Sequence, residues 1–246
     1  MRWNNTLRSL ARKIRSSIAR RGFCGSVEWV FDNRSFYLDK YCSPLSRLGT
    51  WLLVKVERFR FGTDTAAVVE LTHLDIRSEN GRHGQRYQPT RYRQFLKALS
   101  ALRIKDYREW TFIDLGSGKG RVLLAAAAFP FARILGVEFS TELIAIAHEN
   151  IAKRLGHLQR QQIDLIHADA AEWQFPNDRI IVYLYNPFDS EVLARVLANL
   201  ETSLRVHQHE AYVIYVTPKW KEIFDGSPLL RAVWSSGTIS IYRSQI

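Results

Sequence analysis

Asp114, Gly116, Gly118 and Gly120 fall in the run FIDLGSGKGRVLL (112–124), an apolar stretch that enters three alternate glycines and leaves them at helical spacing. A strand, a glycine turn and a helix in that order bring bare backbone against a ligand, because glycine permits both the tight turn and the close approach. The details of the turn select the ligand. Its spacing is G-x-G-x-G rather than the G-x-G-x-x-G of dinucleotide sites, and Lys119 does not stand in the frame of a phosphate-cradling loop. Asp114 at the strand's end would repel a pyrophosphate and favour an ammonium or sulfonium group. Two further acids close apolar runs of the same kind. Glu138 lies 22 residues beyond Gly116, where an acid accepts hydrogen bonds from both hydroxyls of a ribose, and Asp169, in HADA (167–170), is placed to accept from an adenine amine.

These acids need a scaffold of strands with their carboxyl ends on one side. From Thr111 onward the chain alternates short apolar runs with helical stretches, as in a parallel α/β sheet. Strands are expected at 111–115, 133–137, 162–167, 180–184 and 211–216, with helices over 120–129, 141–155 and 191–204, whose starts lie near Thr141 and Ser190. At the C-terminus, 229–234 and 238–242 flank Ser235-Ser236-Gly237 and read as a hairpin adding antiparallel strands at the sheet's edge. Thr90 is expected to cap a helix over 90–104 whose apolar positions Phe95, Leu96, Leu99 and Leu102 continue at helical spacing.

The run DLGSGKG (114–120), together with VEFS (137–140), ADA (168–170) and LYNPFD (184–189), resembles the class I S-adenosylmethionine-dependent methyltransferases. The likeness covers roughly residues 90–246 and is greatest to bacterial proteins with the NPFD variant. It implies a Rossmann-like, doubly wound α/β fold with a seven-stranded, mostly parallel sheet and a C-terminal antiparallel hairpin. It also implies S-adenosylmethionine as cofactor, with Asp114 and Gly116 near the methionine portion, Glu138 on the ribose, and Asp169 with Ala170 around the adenine. Ser117, Gly118, Gly120, Phe139 and Asn186 complete the expected cofactor-binding set.

In related N-methyltransferases an Asn or Asp, two prolines and an aromatic residue receive the target nitrogen. Asn186-Pro187-Phe188-Asp189 has one proline, so Asn186 reads either as an acceptor-binding residue or as the cap of a turn before a helix near 190. Transfer from a sulfonium depends mainly on positioning the nucleophile in line with the methyl group. An ammonium acceptor would also need a base, for which Asp189, Tyr185 and Tyr87 are the candidates. The acceptor classes left open are protein lysine, RNA and small molecules.

Composition narrows the alternatives. Of 35 Lys+Arg, seven lie in residues 1–22, which contain no acid, so the remainder carries 28 against 24 acidic residues. The net charge of +11 therefore belongs largely to an arm whose Leu7, Leu10, Ile14 and Ile18 share one helical face. That arm reads as a helix docked on the body, as a contact for RNA or an acidic surface, or as a targeting segment. Residues 23–89 read as an extension forming the substrate entrance, and 90–246 as the methyltransferase domain. Two cysteines exclude a disulfide scaffold. The longest uncharged run in the body, 122–132, is far short of the about 20 residues that span a bilayer, and the expected location is cytoplasmic. The seven histidines form no metal-ligand pattern, and no G-x-S-x-G elbow makes Ser117 a nucleophile. Two other readings remain: a nicotinamide-dependent oxidoreductase, and a non-catalytic cofactor-binding module recruited to RNA or membrane by the arm.

Overall fold

The computed structural model describes Thr65, Thr90, residues 92–156 and residues 162–245. The basic arm, nearly all of the 23–89 extension and Tyr87 lie outside the described residues.

Seven strands form one sheet in the order β3-β2-β1-β4-β5-β7-β6. They are β1 (Thr111–Leu115), β2 (Arg133–Glu138), β3 (Ile163–His167), β4 (Ile180–Leu184), β5 (Ala211–Val216), β6 (Leu230–Ser236) and β7 (Ile239–Ser244). The first five run parallel, and β7 pairs antiparallel with both β5 and β6. The expected mixed sheet with its terminal hairpin is what forms. Every residue of β1, β4 and β5 is buried, as in a central strand covered on both faces.

Alternate side chains divide these strands between two layers. On one face, Ile113, Leu115, Val182, Leu184, Val213 and Tyr215 pack with α4 (Ser190–His207), which contributes Val192, Leu193, Val196 and Leu200, and with Phe224 of α5 (Lys221–Asp225). On the other, Phe112, Ile181, Tyr183 and Ile214 pack with Phe95 and Leu99 of α1 (Tyr92–Leu102), Leu123 of α2 (Arg121–Ala126) and Ile151 of α3 (Thr141–Arg154). Phe95 meets Phe112 and Tyr183 edge-on, at ring-centroid distances of 5.8 and 5.9 Å. Asp114 shares the parity of Phe112 and therefore stands on the layer of α1 and α2.

Local chemistry moves several boundaries. Ser140 caps α3 by accepting from Leu143 N–H, which starts it at Thr141 as expected, and Asp189 caps α4, which starts at Ser190, one residue before the expected 191. The first expected helix contracts to α1, and that over 120–129 ends at Ala126. The hairpin turn is Gly237-Thr238, because β6 continues through Ser236. The short α5 and a 3-10 turn at Tyr107–Glu109 carried too little periodicity to be read from sequence. No helix among the described residues is long and apolar enough to cross a membrane.

Candidate active site

The carboxyl ends of β1, β2, β3 and β4 bring the sequence-selected residues to one side of the sheet. Between β1 and α2 the chain takes positive φ at Gly116 (75°), Gly118 (52°) and Gly120 (78°). Gly116 is required twice over. A Cβ there would stand 2.7 Å from Cβ of Pro187, so the NPFD turn after β4 presses directly on the glycine turn. The N–H groups of Gly116 and Ser117 both donate to the Val137 carbonyl, at 2.9 and 3.1 Å, tying the turn to β2. The Ser117 hydroxyl is buried inside the turn without a hydrogen-bond partner among the described residues.

Glu138 completes that tie. Its Oε2 accepts from Gly118 N–H at 2.9 Å and its Oε1 from Ser140 N–H at 3.0 Å. An ionised carboxylate offers about four lone-pair sites, so these two bonds leave acceptor capacity for a ligand. Burial pushes the Glu138 carboxyl above its ordinary pKa, while the amides of Ser140, Gly118 and Phe139 and the nearby His167 oppose the shift.

Asp114 is in a different position. It is only 4% exposed, lies in register with Tyr183 of β4, and makes no hydrogen bond among the described residues. Burial, and then repulsion from Glu138, hold its carboxyl well above the usual carboxylate range. Two buried carboxylates that repel each other, one of them without a donor among the described residues, form a site that favours a positive charge. The fully buried Tyr183, its hydroxyl also shifted up by burial, lines the same layer with Thr90 beside it. Arg121, the first residue of α2, donates to the Thr90 carbonyl at 3.2 Å and to the Thr65 hydroxyl at 3.4 Å. Sequence reasoning missed both contacts, since nothing in the spacing links positions 65, 90 and 121.

The third acid serves its own backbone. Asp169 Oδ1 accepts from Ala171 N–H at 2.9 Å and starts the turn that buries Ala170 and Ala171. Glu138 and Asp169 are joined through the chain, because Ala168 N–H donates to the Glu138 carbonyl at 3.1 Å and His167 Nε2 lies 3.0 Å from the carbonyl of Phe139.

At the end of β4, Asn186 takes a left-handed conformation, φ 44°, which costs free energy in a non-glycine residue and gathers at functional sites. Tyr215 Oη donates to Asn186 Oδ1 at 3.0 Å and itself accepts from Trp220 N–H at 3.3 Å. Asn186 is thus held by β5 and does not cap the following helix. Asp189, singled out as a candidate base, does: its Oδ1 accepts from Glu191 and Val192 N–H, both at 3.1 Å, because an acid just before a helix meets the unpaired amides of its first turn. Tyr215 went unnoticed in the sequence because a tyrosine ending the run AYVIYV has the pattern of a core residue.

Residues 112–207 match the family model described as Methyltransferase domain, while no curated protein matches the sequence. Among solved structures, an RNA methyltransferase from Salinibacter ruber bound to S-adenosyl-L-homocysteine is 21% identical with a TM-score of 0.44, covering 63% of this chain and 92% of that one. A ribosomal protein L11 methylase from Lactobacillus delbrueckii subsp. bulgaricus is 15% identical with a TM-score of 0.46, covering 72% and 97%. The mitomycin 7-O-methyltransferase MmcR is 16% identical with a TM-score of 0.46, covering 61% of this chain, which spans only 53% of that protein's length. The matched residues, 112–207, include the glycine turn and the ends of β1 to β4, so this part of the chain is similar to a methyltransferase domain.

Proposed function

We propose that the protein transfers the methyl group of S-adenosylmethionine to an acceptor bound at the ends of β4 and β5. The observation that carries this reading is Asp114: a buried carboxyl with no hydrogen bond among the described residues, beside a second carboxyl, at the mouth of a glycine turn. A ligand bearing an ammonium and a sulfonium answers that arrangement, whereas a pyrophosphate would add a third negative group. In this reading Asp114 and the backbone of Gly116, Ser117, Gly118 and Gly120 receive the methionine portion. Glu138 keeps the turn in place with two of its lone pairs and turns the others to the ribose. Phe139, Asp169 and Ala170 border the adenine, and Asn186 separates cofactor from acceptor.

When bound, the cofactor supplies a methyl group on an activated sulfonium, so the protein's task is orientation and exclusion of water. Pro187, pressed on Gly116, sets the distance between the acceptor turn and the glycine turn.

Titration calorimetry of the full chain with S-adenosylmethionine, S-adenosylhomocysteine and NADH tests this. The expected result is binding of both adenosyl compounds, weakened at least about tenfold by Asp114→Ala or Glu138→Ala, a loss of about 1.4 kcal/mol or more. Binding of NADH alone would overturn the reading.

A further inference from the structure

We propose that the acceptor rim receives a carboxylate and that the methyl group is placed on its oxygen; this rests on the methyltransferase reading above. One end of the Asn186 carboxamide is already in use. Trp220 N–H donates to Tyr215 Oη, whose own hydrogen goes to Asn186 Oδ1. Tyr215 is fully buried, and burial holds its hydroxyl up at about 12, so it remains a donor throughout the neutral range. The Asn186 oxygen is therefore turned toward β5, and its Nδ2 carries two hydrogens with no partner among the described residues. Asn186 is half-buried, left-handed, and adjacent to the Pro187 that touches the glycine turn. It meets an acceptor as a hydrogen-bond donor. An amine would present its own hydrogens to those hydrogens; an oxygen with lone pairs would not.

Charge at the rim points the same way. Lys219 is exposed, with Nζ 4.6 Å from the ring centroid of Trp220, the residue whose amide anchors Tyr215. A cation on the turn after β5 and a pair of N–H donors on the turn after β4 complement an anionic oxygen. Asp189, the acid nearest in sequence, has an oxygen committed to the first amides of α4. A carboxylate asks for no base in any case. Its oxygen forms the new O–C bond as the donor's C–S bond breaks, the bonding pair stays on sulfur as a neutral thioether, and no proton has to leave. Asn186 is then an acceptor-binding residue, and Tyr215 a positioning residue that fixes its orientation.

The test uses the full chain, radiolabelled methyl donor, and fractionated protein, RNA and small-molecule extracts, with each labelled product treated with mild base. The expected product is a methyl ester, from which base releases the label as volatile methanol. Asn186→Asp, which replaces the donors by acceptors, is expected to lower transfer at least about tenfold. Lys219→Glu should raise the acceptor KM while leaving affinity for S-adenosylhomocysteine within about twofold. Tyr215→Phe should lower kcat more than it raises KM, and should shift the Asn186 side-chain amide signals in a nitrogen-15 spectrum. Base-stable label, or full activity in Asn186→Asp, overturns the proposal. So does a wild-type protein that binds S-adenosylhomocysteine yet labels no carboxylate, an outcome that leaves the cofactor reading standing; failure to bind removes both.

Discussion

Replacing Asp114 by Asn should strengthen the fold and weaken the function in the same molecule. The wild-type carboxyl is 4% exposed, has no hydrogen-bond donor among the described residues, and faces repulsion from Glu138. Its native pKa lies well above the ordinary 3.8. Between that value and the raised one the native state keeps a proton that the unfolded chain has released. Stability is then full below the unfolded pKa and falls as pH rises through the window, by at most about 1.36 kcal/mol per pH unit. Asn occupies nearly the same volume without the charge. The gain should be about 1–3 kcal/mol, the usual cost of a buried polar group left unsatisfied. For a chain of this size that corresponds to about 2–4 °C in Tm per kcal/mol. The ligand response runs the other way. At a hundred times its Kd, S-adenosylhomocysteine should stabilise the wild-type protein by about 2.7 kcal/mol. The variant, lacking the charge that meets the ammonium, should lose most of that shift. Thermal unfolding at pH 7.5, with and without ligand, measures both effects. An apo Tm below wild type, or an undiminished ligand shift, would refute the reasoning.

Four other changes follow from the same geometry. Glu138→Gln turns an amide donor toward the N–H of Gly118 or Ser140 and should cost about 1–3 kcal/mol in urea unfolding. Gly116→Ala places a Cβ 2.7 Å from Pro187 at a φ of 75°, so affinity for S-adenosylhomocysteine, read by calorimetry, should fall at least about tenfold, or 1.4 kcal/mol. Asp189→Ala removes a helix cap and should lower stability by about 0.5–2 kcal/mol while transfer stays within a few-fold, whereas loss of a base would abolish transfer. His209 is buried against Ser203, with Nε2 3.0 Å from Oγ, and burial lowers its pKa below 6.5. Below 6.5 the unfolded chain takes up a proton that the native state refuses, so urea midpoints should fall between pH 7 and the depressed value, and His209→Gln should remove that dependence.

The parts of the fold that could be read from sequence are those where one physical demand dominates. IIVYL is apolar throughout and FIDL is broken only by Asp114, because β1 and β4 are covered on both faces, and the alternate glycines mark a turn that only glycine accommodates easily. The three acids were legible from their positions at strand ends, although their tasks were not. Glu138 uses an oxygen each on Gly118 and Ser140, and Asp169 one on Ala171, because acids near a turn serve the closest backbone amides first. Spacing shows where a carboxylate stands but not which amides reach it. The Tyr215 to Asn186 bond was illegible for another reason: it joins residues 29 apart through a side chain whose pattern is that of the core. Arg121 reaches Thr90 and Thr65 across 31 and 56 positions, and no local period records such a contact.

The ends of β1 and β2 are expected to form one cation-receiving cofactor site. A crystal structure of the full chain with S-adenosylhomocysteine tests it most directly. The ligand is expected over the 116–120 turn, with its ammonium toward Asp114 and its ribose hydroxyls on Glu138. A ligand bound elsewhere, or with its ammonium and ribose turned away from both carboxylates, would contradict it.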